Sequence, residues 1–140
     1  MTPGDVFSIA NTIVLPMWLL MIVVPTWKVT QWLVDFRVIP ILLSVIYVIY
    51  IAIAIQTGGM MDFGSLVSVM ELFTEENAVL AGWVHYLAFD LLVGMWLLDQ
   101  NKSIQINPWF MAPVLLLTFM LGPVGFLLFN ILKSFKTKRS

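Results

Sequence analysis

Residues 78–98 read AVLAGWVHYLAFDLLVGMWLL, an apolar run with polar residues close on both sides. A helix needs about 20 mostly apolar residues to cross a hydrocarbon core of about 30 Å. Thr74, Glu75, Glu76 and Asn77 precede the run; the hydroxyl can cap a helix, and the carboxylates suit its positive N-terminal dipole. The run therefore predicts a transmembrane helix over residues 78–98, with Thr74 as its cap.

Three further apolar runs predict spans over residues 6–27, 39–56 and 108–132. The last begins at Asn107-Pro108, a cap followed by proline at the first helical position. Over the whole chain, 61% of residues are hydrophobic and 11% are charged, too few polar groups to cover a surface in water. We therefore predict an all-α fold, an integral membrane four-helix bundle that forms a single domain over residues 1–140.

The segment between the second and third spans has a different composition. Gly58, Gly59 and Gly64 interrupt the apolar pattern, and acidic residues appear. Apolar residues recur at helical spacing within residues 65–73, which suits a short helix lying along the membrane surface. An extended loop is the alternative, and the sequence leaves both open.

The net charge of −1 hides a basic C-terminal tail. Four spans put this tail on one side of the membrane and the other three basic residues on the opposite side, so the positive-inside rule barely decides orientation. We expect both termini, and the loop over residues 58–64, to be cytoplasmic. The basic residues are Lys133, Lys136, Lys138 and Arg139 in the tail, and Lys28, Arg37 and Lys102 elsewhere.

Ionisable groups inside a predicted span occur only in residues 78–98, where His85 and Asp90 lie. A carboxylate in a membrane is costly unless it is paired or neutralised, so we expect this span to be the most buried. Asp90 is either a structural residue bonded to a neighbouring polar group or a functional acid or base. On a helix, Tyr86 and Asp90 lie about 40° apart and His85 and Asp90 about 140° apart, so only Tyr86 can bond Asp90 directly.

Asn11 and Trp18 share one face of the first span. A lone asparagine in a span usually bonds a neighbouring helix, and contact with a ligand is the alternative. Small residues on the last two spans predict close helix approach at Gly82, Gly94, Gly122 and Gly125.

Metal and cofactor sites are not indicated by the sequence. His85 is the only histidine and there is no cysteine, which leaves only carboxylates to complete a metal site. Phosphate-binding loops and familiar hydrolase motifs are absent from the sequence. We expect no metal, no cofactor and no nucleic-acid partner.

Three blocks of the chain together resemble one known family. They are FSIANTIVLPMWLLMIVVPTWKVT from Phe7, GWVHYLAFDLLVG from Gly82 and LTFMLGPVGFLLF from Leu117. They resemble the neoxanthin-synthase-like membrane family, named after a plant mutant deficient in abscisic acid, which occurs in plastids and bacteria. Because no plastid presequence is visible, we interpret the chain as a bacterial member and expect it in the bacterial inner membrane.

The resemblance implies a link to carotenoids. Plant members are required to form neoxanthin from violaxanthin, an isomerisation in which an acid protonates an epoxide and a base removes a proton from the polyene. It implies an isomerase-like enzyme acting on a carotenoid or related isoprenoid, in a pocket between spans one, three and four. The candidate catalytic residues are Asp90 and His85, and the candidate ligand-binding residues are Tyr86, Trp83, Asn11 and Trp18.

A non-catalytic role is the alternative to this enzyme. In it, the chain binds a carotenoid or forms a structural subunit of a larger membrane complex, and Asp90 and His85 are structural. Its small size and the absence of a cofactor motif favour this alternative. In either role we expect contact with membrane lipid, and with a membrane protein partner or a second copy of the chain.

Overall fold

The computed structural model describes the backbone of residues 1–139 and the side chains of residues 1–137. Regular structure in this part of the chain is entirely helical, which confirms the all-α prediction. The helices are α1 (Pro3–Val23), α2 (Lys28–Asp35), α3 (Val38–Gly58), α4 (Leu66–Leu72), α5 (Glu76–Ile104), α6 (Pro108–Met120) and α7 (Gly122–Arg139). Of these, α1, α3 and α5 are long and apolar enough to cross a membrane, so the predicted count of four spans is wrong.

Helix α5 is the centre of the molecule and the most buried of the three long helices, as predicted. Its 29 residues extend about 43 Å, well beyond the hydrocarbon thickness. It therefore starts earlier and ends later than the predicted span over residues 78–98. Asp90 lies halfway along it.

Helix α1 runs parallel to α5. Phe7 near the start of α1 stacks on Trp83 in the first half of α5, with 5.5 Å between ring centroids. Further along both helices, Trp18 packs on Gly94, where a Cβ atom would come within 2.6 Å of the indole ring. The two helices therefore begin at the same end of the molecule.

Helix α3 runs antiparallel to α5. Arg37, just before α3, donates a hydrogen bond of 2.6 Å to Asp99, near the end of α5. Further along α3, the Tyr47 ring lies 5.7 Å from the ring of His85. Helices α1, α3 and α5 thus alternate in direction.

Helices α6 and α7 form an antiparallel hairpin, where one continuous span over residues 108–132 was predicted. Gly125 of α7 packs directly on the Thr118 backbone of α6, since a Cβ atom would lie 2.6 Å from the Thr118 Cα. At the far end of α7, the Lys136 ammonium donates to the Gln105 carbonyl, just before α6. The 13 residues of α6 extend about 20 Å, so the hairpin enters from the end at which α5 finishes and turns back near mid-height.

This hairpin also changes the predicted topology. Because α1, α3 and α5 alternate in direction and α7 returns to the end at which α5 finishes, the N-terminus and the end of α7 lie at opposite ends of the molecule. This placement does not agree with the expectation that both termini share a side of the membrane. The short helix expected within residues 65–73 is present as α4. Asn107 caps α6 as predicted, accepting a hydrogen bond of 2.9 Å from the Trp109 N–H.

The predicted cap of α5 is wrong by one residue. The Glu75 carboxylate accepts from the N–H groups of Asn77 and Ala78, at 3.1 and 2.7 Å. Thr74 instead donates its hydroxyl to the Glu71 carbonyl, because a turn that follows α4 occupies this position.

Candidate functional site

The turn between α6 and α7 leaves a backbone carbonyl without its helical partner. Pro123 has no N–H group, and a proline ring clashes with the preceding turn of a helix. The Val124 N–H bonds the Leu121 carbonyl at 2.9 Å, so it does not serve Met120, four residues before it. The Tyr86 hydroxyl of α5 donates to the Met120 carbonyl instead, at 2.9 Å. In a membrane the carbonyl needs such a replacement hydrogen-bond donor, because water is not available to it.

Asp90 lies against the first residue of α7. A Cβ atom on Gly122 would collide with Asp90 Oδ1 and lie 3.0 Å from its Cγ, so only glycine leaves room for the carboxylate here. Among the described residues, Asp90 Oδ2 is buried and has no hydrogen-bond partner. The Tyr86 side chain lies close enough to interact with Asp90, although its hydrogen bond goes to Met120. Tyr86 and Asp90 thus lie together at the hairpin turn, on the shared side of α5 that their spacing predicted.

An aromatic surface extends from this turn toward the start of α5. Phe7, Trp83 and Tyr86 form a continuous row, with ring centroids 5.5 Å apart for the first pair and 5.4 Å for the second. We call these three residues the aromatic face. The residues Phe7 and Trp83 remain 42% and 37% exposed, since the hairpin covers only the other half of the α1–α5 groove.

Asn11 belongs to the edge of the aromatic face. Its side-chain oxygen accepts a hydrogen bond of 3.0 Å from Trp83 Nε1. This is the interhelical bond that was considered for Asn11, and it fixes the orientation of the Trp83 ring. Both residues were candidates for ligand contact, and they lie together.

Trp18 and His85 lie away from Asp90 and the aromatic face. Trp18 is only 2% exposed, and its ring lies 5.5 Å from Phe119. His85 points toward α3, where its ring lies 5.7 Å from Tyr47, and one turn along α5 its ring lies 4.7 Å from Phe89. His85 and Asp90 thus face different helices, in agreement with their predicted angular separation.

Four glycines were predicted to permit close helix approach, and three of them lie against another helix; the exception is Gly82, because Phe73 follows the end of α4. Gly82 meets Phe73, Gly94 meets Trp18, and the other two pack within the hairpin region. Sequence reasoning missed Phe7 and the Met120 carbonyl. The Gly-Pro step at residues 122–123 was the available signal for the helix break. Within residues 1–137, no group of three histidine, cysteine or carboxylate side chains can hold a metal ion.

Comparison with known protein families matches residues 5–129 to the family described as ABA DEFICIENT 4-like. The chain belongs to this ABA4-like family. Protein ABA DEFICIENT 4, chloroplastic, from Arabidopsis thaliana is 30% identical over 112 residues, which cover 74% of this chain and 50% of that protein. The chain thus spans about half the length of the curated relative it matches. No solved structure matches it.

The predicted family is therefore confirmed, and the match includes all three quoted blocks. The Asp90 site and the aromatic face both lie inside the matched region of this ABA4-like chain. Its bacterial origin and location in a bacterial inner membrane stay predictions.

Proposed function

We propose that this ABA4-like protein binds a carotenoid or related isoprenoid along its aromatic face and isomerises it by acid–base chemistry at Asp90. The observation that carries the proposal is the buried, unpartnered Oδ2 of Asp90 next to a partly exposed row of aromatic rings. A polyene is long, flat and apolar, and aromatic surfaces suit such a ligand. The family likeness supports the carotenoid as ligand class.

For an epoxide substrate, the chemistry needs one proton delivered and one removed. A protonated Asp90 gives its proton to the epoxide oxygen as the C–O bond breaks, and the resulting carboxylate then accepts a proton from the adjacent polyene carbon. The bonding pair freed at that carbon forms the new double bond, so no oxidant or cofactor is consumed. Tyr86 is the positioning residue, since its bond to Met120 holds the turn beside Asp90.

His85 has no part in this step, because its ring contacts Tyr47 of α3. The proposal therefore narrows the two candidate catalytic residues to Asp90. Asn11 and Trp83 keep a ligand-binding role as a bonded pair. Trp18 supports the site from the core.

The test compares Asp90→Asn with His85→Gln, two near-isosteric changes that remove ionisation. The chain is produced in cells that make epoxy-carotenoids, and pigment conversion is measured per amount of folded protein. We expect Asp90→Asn to lower turnover by about 10²-fold or more while pigment still co-purifies, and His85→Gln to retain activity. Unchanged turnover in Asp90→Asn would remove acid–base chemistry from the proposal.

The aromatic face is tested separately by Trp83→Leu. Its matched control is Trp27→Leu, because Trp27 is 51% exposed and lies at the other end of the molecule. We expect less co-purified pigment in the first variant only. Absence of pigment from the unmodified protein would contradict carotenoid binding altogether.

A non-catalytic carotenoid-binding subunit is the second candidate. The exposure of Phe7 and Trp83 favours it, because a catalytic site that forms a cation is normally enclosed from its surroundings. Pigment that co-purifies without conversion, equally in the unmodified protein and in Asp90→Asn, is the result that this role predicts.

A further inference from the structure

The hairpin gathers the basic residues at one end of the molecule. All seven lysines and arginines lie where α1, α5 and α7 end and α3 begins, and we call this the basic end. Five of the eight acidic residues lie at the opposite end, which has no basic residue. The basic residues are Lys28, Arg37, Lys102, Lys133, Lys136, Lys138 and Arg139, and the five acidic residues are Asp5, Asp62, Glu71, Glu75 and Glu76.

The hairpin decides this distribution. A fourth crossing would have carried the four basic residues of α7 to the acidic end, leaving three basic residues against four. Helix α7 instead returns to the end of the molecule that holds Lys102, as the contact of the Lys136 ammonium with the Gln105 carbonyl shows. All of the basic residues therefore lie at one end of the molecule, and none lies at the other.

Part of this charge is available to an outside partner. The three ion pairs in the described part of the chain use only two basic residues, Arg37 and Lys102, with Asp99 and Asp35. Among the described side chains, Lys28 and Lys133 have no acidic partner. The basic end thus carries lysines without an acidic partner around the ion pairs of Arg37 and Lys102.

Exposed tryptophans surround the same end. Trp27, Trp32 and Trp109 are 51%, 54% and 85% exposed. Amphipathic indole rings concentrate at the headgroup level of membranes, where one edge is wet and the rest apolar. Cations and indole rings at one level fit a lipid headgroup layer better than they fit a protein partner.

We propose that the basic end is seated among anionic phospholipid headgroups in the leaflet that faces the compartment of synthesis. The N-terminus and α4 then lie on the opposite side of the membrane. Lysine and arginine resist transfer across a membrane during insertion and are attracted by anionic lipid, which together fix this orientation.

This orientation has a consequence for the aromatic face. Phe7 and Trp83 lie in the half of the molecule away from the basic end, so they face the acyl chains of the opposite leaflet. The isoprenoid then reaches Asp90 from that leaflet. This consequence alone rests on the proposed function.

The test uses single cysteines, because the chain has none of its own. Met60→Cys reports the acidic end, Thr26→Cys reports the basic end, and Ser134→Cys reports α7. In intact bacterial cells, a membrane-impermeant maleimide is expected to label Met60→Cys only. Thr26→Cys and Ser134→Cys should react after the membrane is permeabilised.

Two other patterns would overturn the proposal. Labelling of Thr26→Cys in intact cells means a reversed or mixed orientation. Labelling of Ser134→Cys but not Thr26→Cys in intact cells means that α7 crosses the membrane, which would divide the basic residues. The assay contains no pigment, so its failure is separate from a failure of the proposed function.

The role of the lysines is tested in the Thr26→Cys background. Replacing Lys28, Lys133 and Lys136 with glutamine lowers the number of basic residues at the basic end from seven to four. The matched control replaces three exposed residues with asparagine and keeps all seven basic residues; these are Ser103, Gln105 and Thr137. We expect a fraction of the lysine variant, but none of the control, to become labelled in intact cells. Full protection of both would show that these lysines do not set the orientation.

Discussion

At the residue scale, Gly122 provides a sharp test of the site. A Cβ atom there would collide with Asp90 Oδ1, whereas a Cβ atom on Gly58 would meet nothing within 4 Å. We expect Gly122→Ala to lower the free energy of unfolding by about 1–3 kcal/mol, as overpacking does, and Gly58→Ala to leave it nearly unchanged. Thermal unfolding of both variants in detergent measures the difference. Equal melting temperatures would contradict the contact between Gly122 and Asp90.

Helical spacing was enough to predict how His85, Tyr86 and Asp90 are arranged on α5. The spacing separated His85 from Asp90 and placed Tyr86 beside Asp90, because side-chain directions on one helix follow from residue number alone. It could not predict that Tyr86 bonds Met120, since that carbonyl becomes available only through a break in a different helix.

At the element scale, the start of α5 distinguishes two possible caps. We expect Glu75→Ala to destabilise the protein by about 1 kcal/mol, because two N–H groups lose their acceptor, and Thr74→Ala to cost much less. Unfolding of the two variants at neutral pH is the measurement. A larger loss in Thr74→Ala would restore the hydroxyl as the cap.

The same cap has a pH dependence. Burial raises the pKa of Glu75, but its hydrogen bonds from Asn77 and Ala78 outweigh this and hold the pKa below its ordinary value. Its stabilisation is therefore complete above the ordinary pKa of a glutamate and is lost as the pH falls through the lowered value. The difference in stability between Glu75→Ala and the unmodified protein should shrink over that acidic range, and a constant difference would contradict the assignment.

At the scale of the whole molecule, Asp99 connects the start of α3 to the end of α5. It accepts from Arg37 at 2.6 Å and lies 3.5 Å from Lys102, and both sides of the first pair are about one-third exposed. We expect Asp99→Asn to cost roughly 1 kcal/mol, since a charge-assisted bond between two helices is weakened. Asp35→Asn is the matched control, because its pair with Lys102 is exposed and 3.8 Å long, and such pairs contribute little. Chemical unfolding of both variants is the measurement. Equal losses in the free energy of unfolding would contradict this expectation.

The sequence by itself determined the all-α class, the family, the three long apolar helices and the position of Asp90 near the middle of the third of them. These follow from composition and from periodicity along a single helix, which are local properties. The tertiary structure decided the path of residues 108–139, and with it the neighbours of Asp90 and the side on which the basic residues lie. The reason is that α6 together with α7 is apolar enough to read as a crossing, while Pro123 and the close contact of Gly125 with Thr118 favour a turn. Only packing between helices distinguishes these two paths.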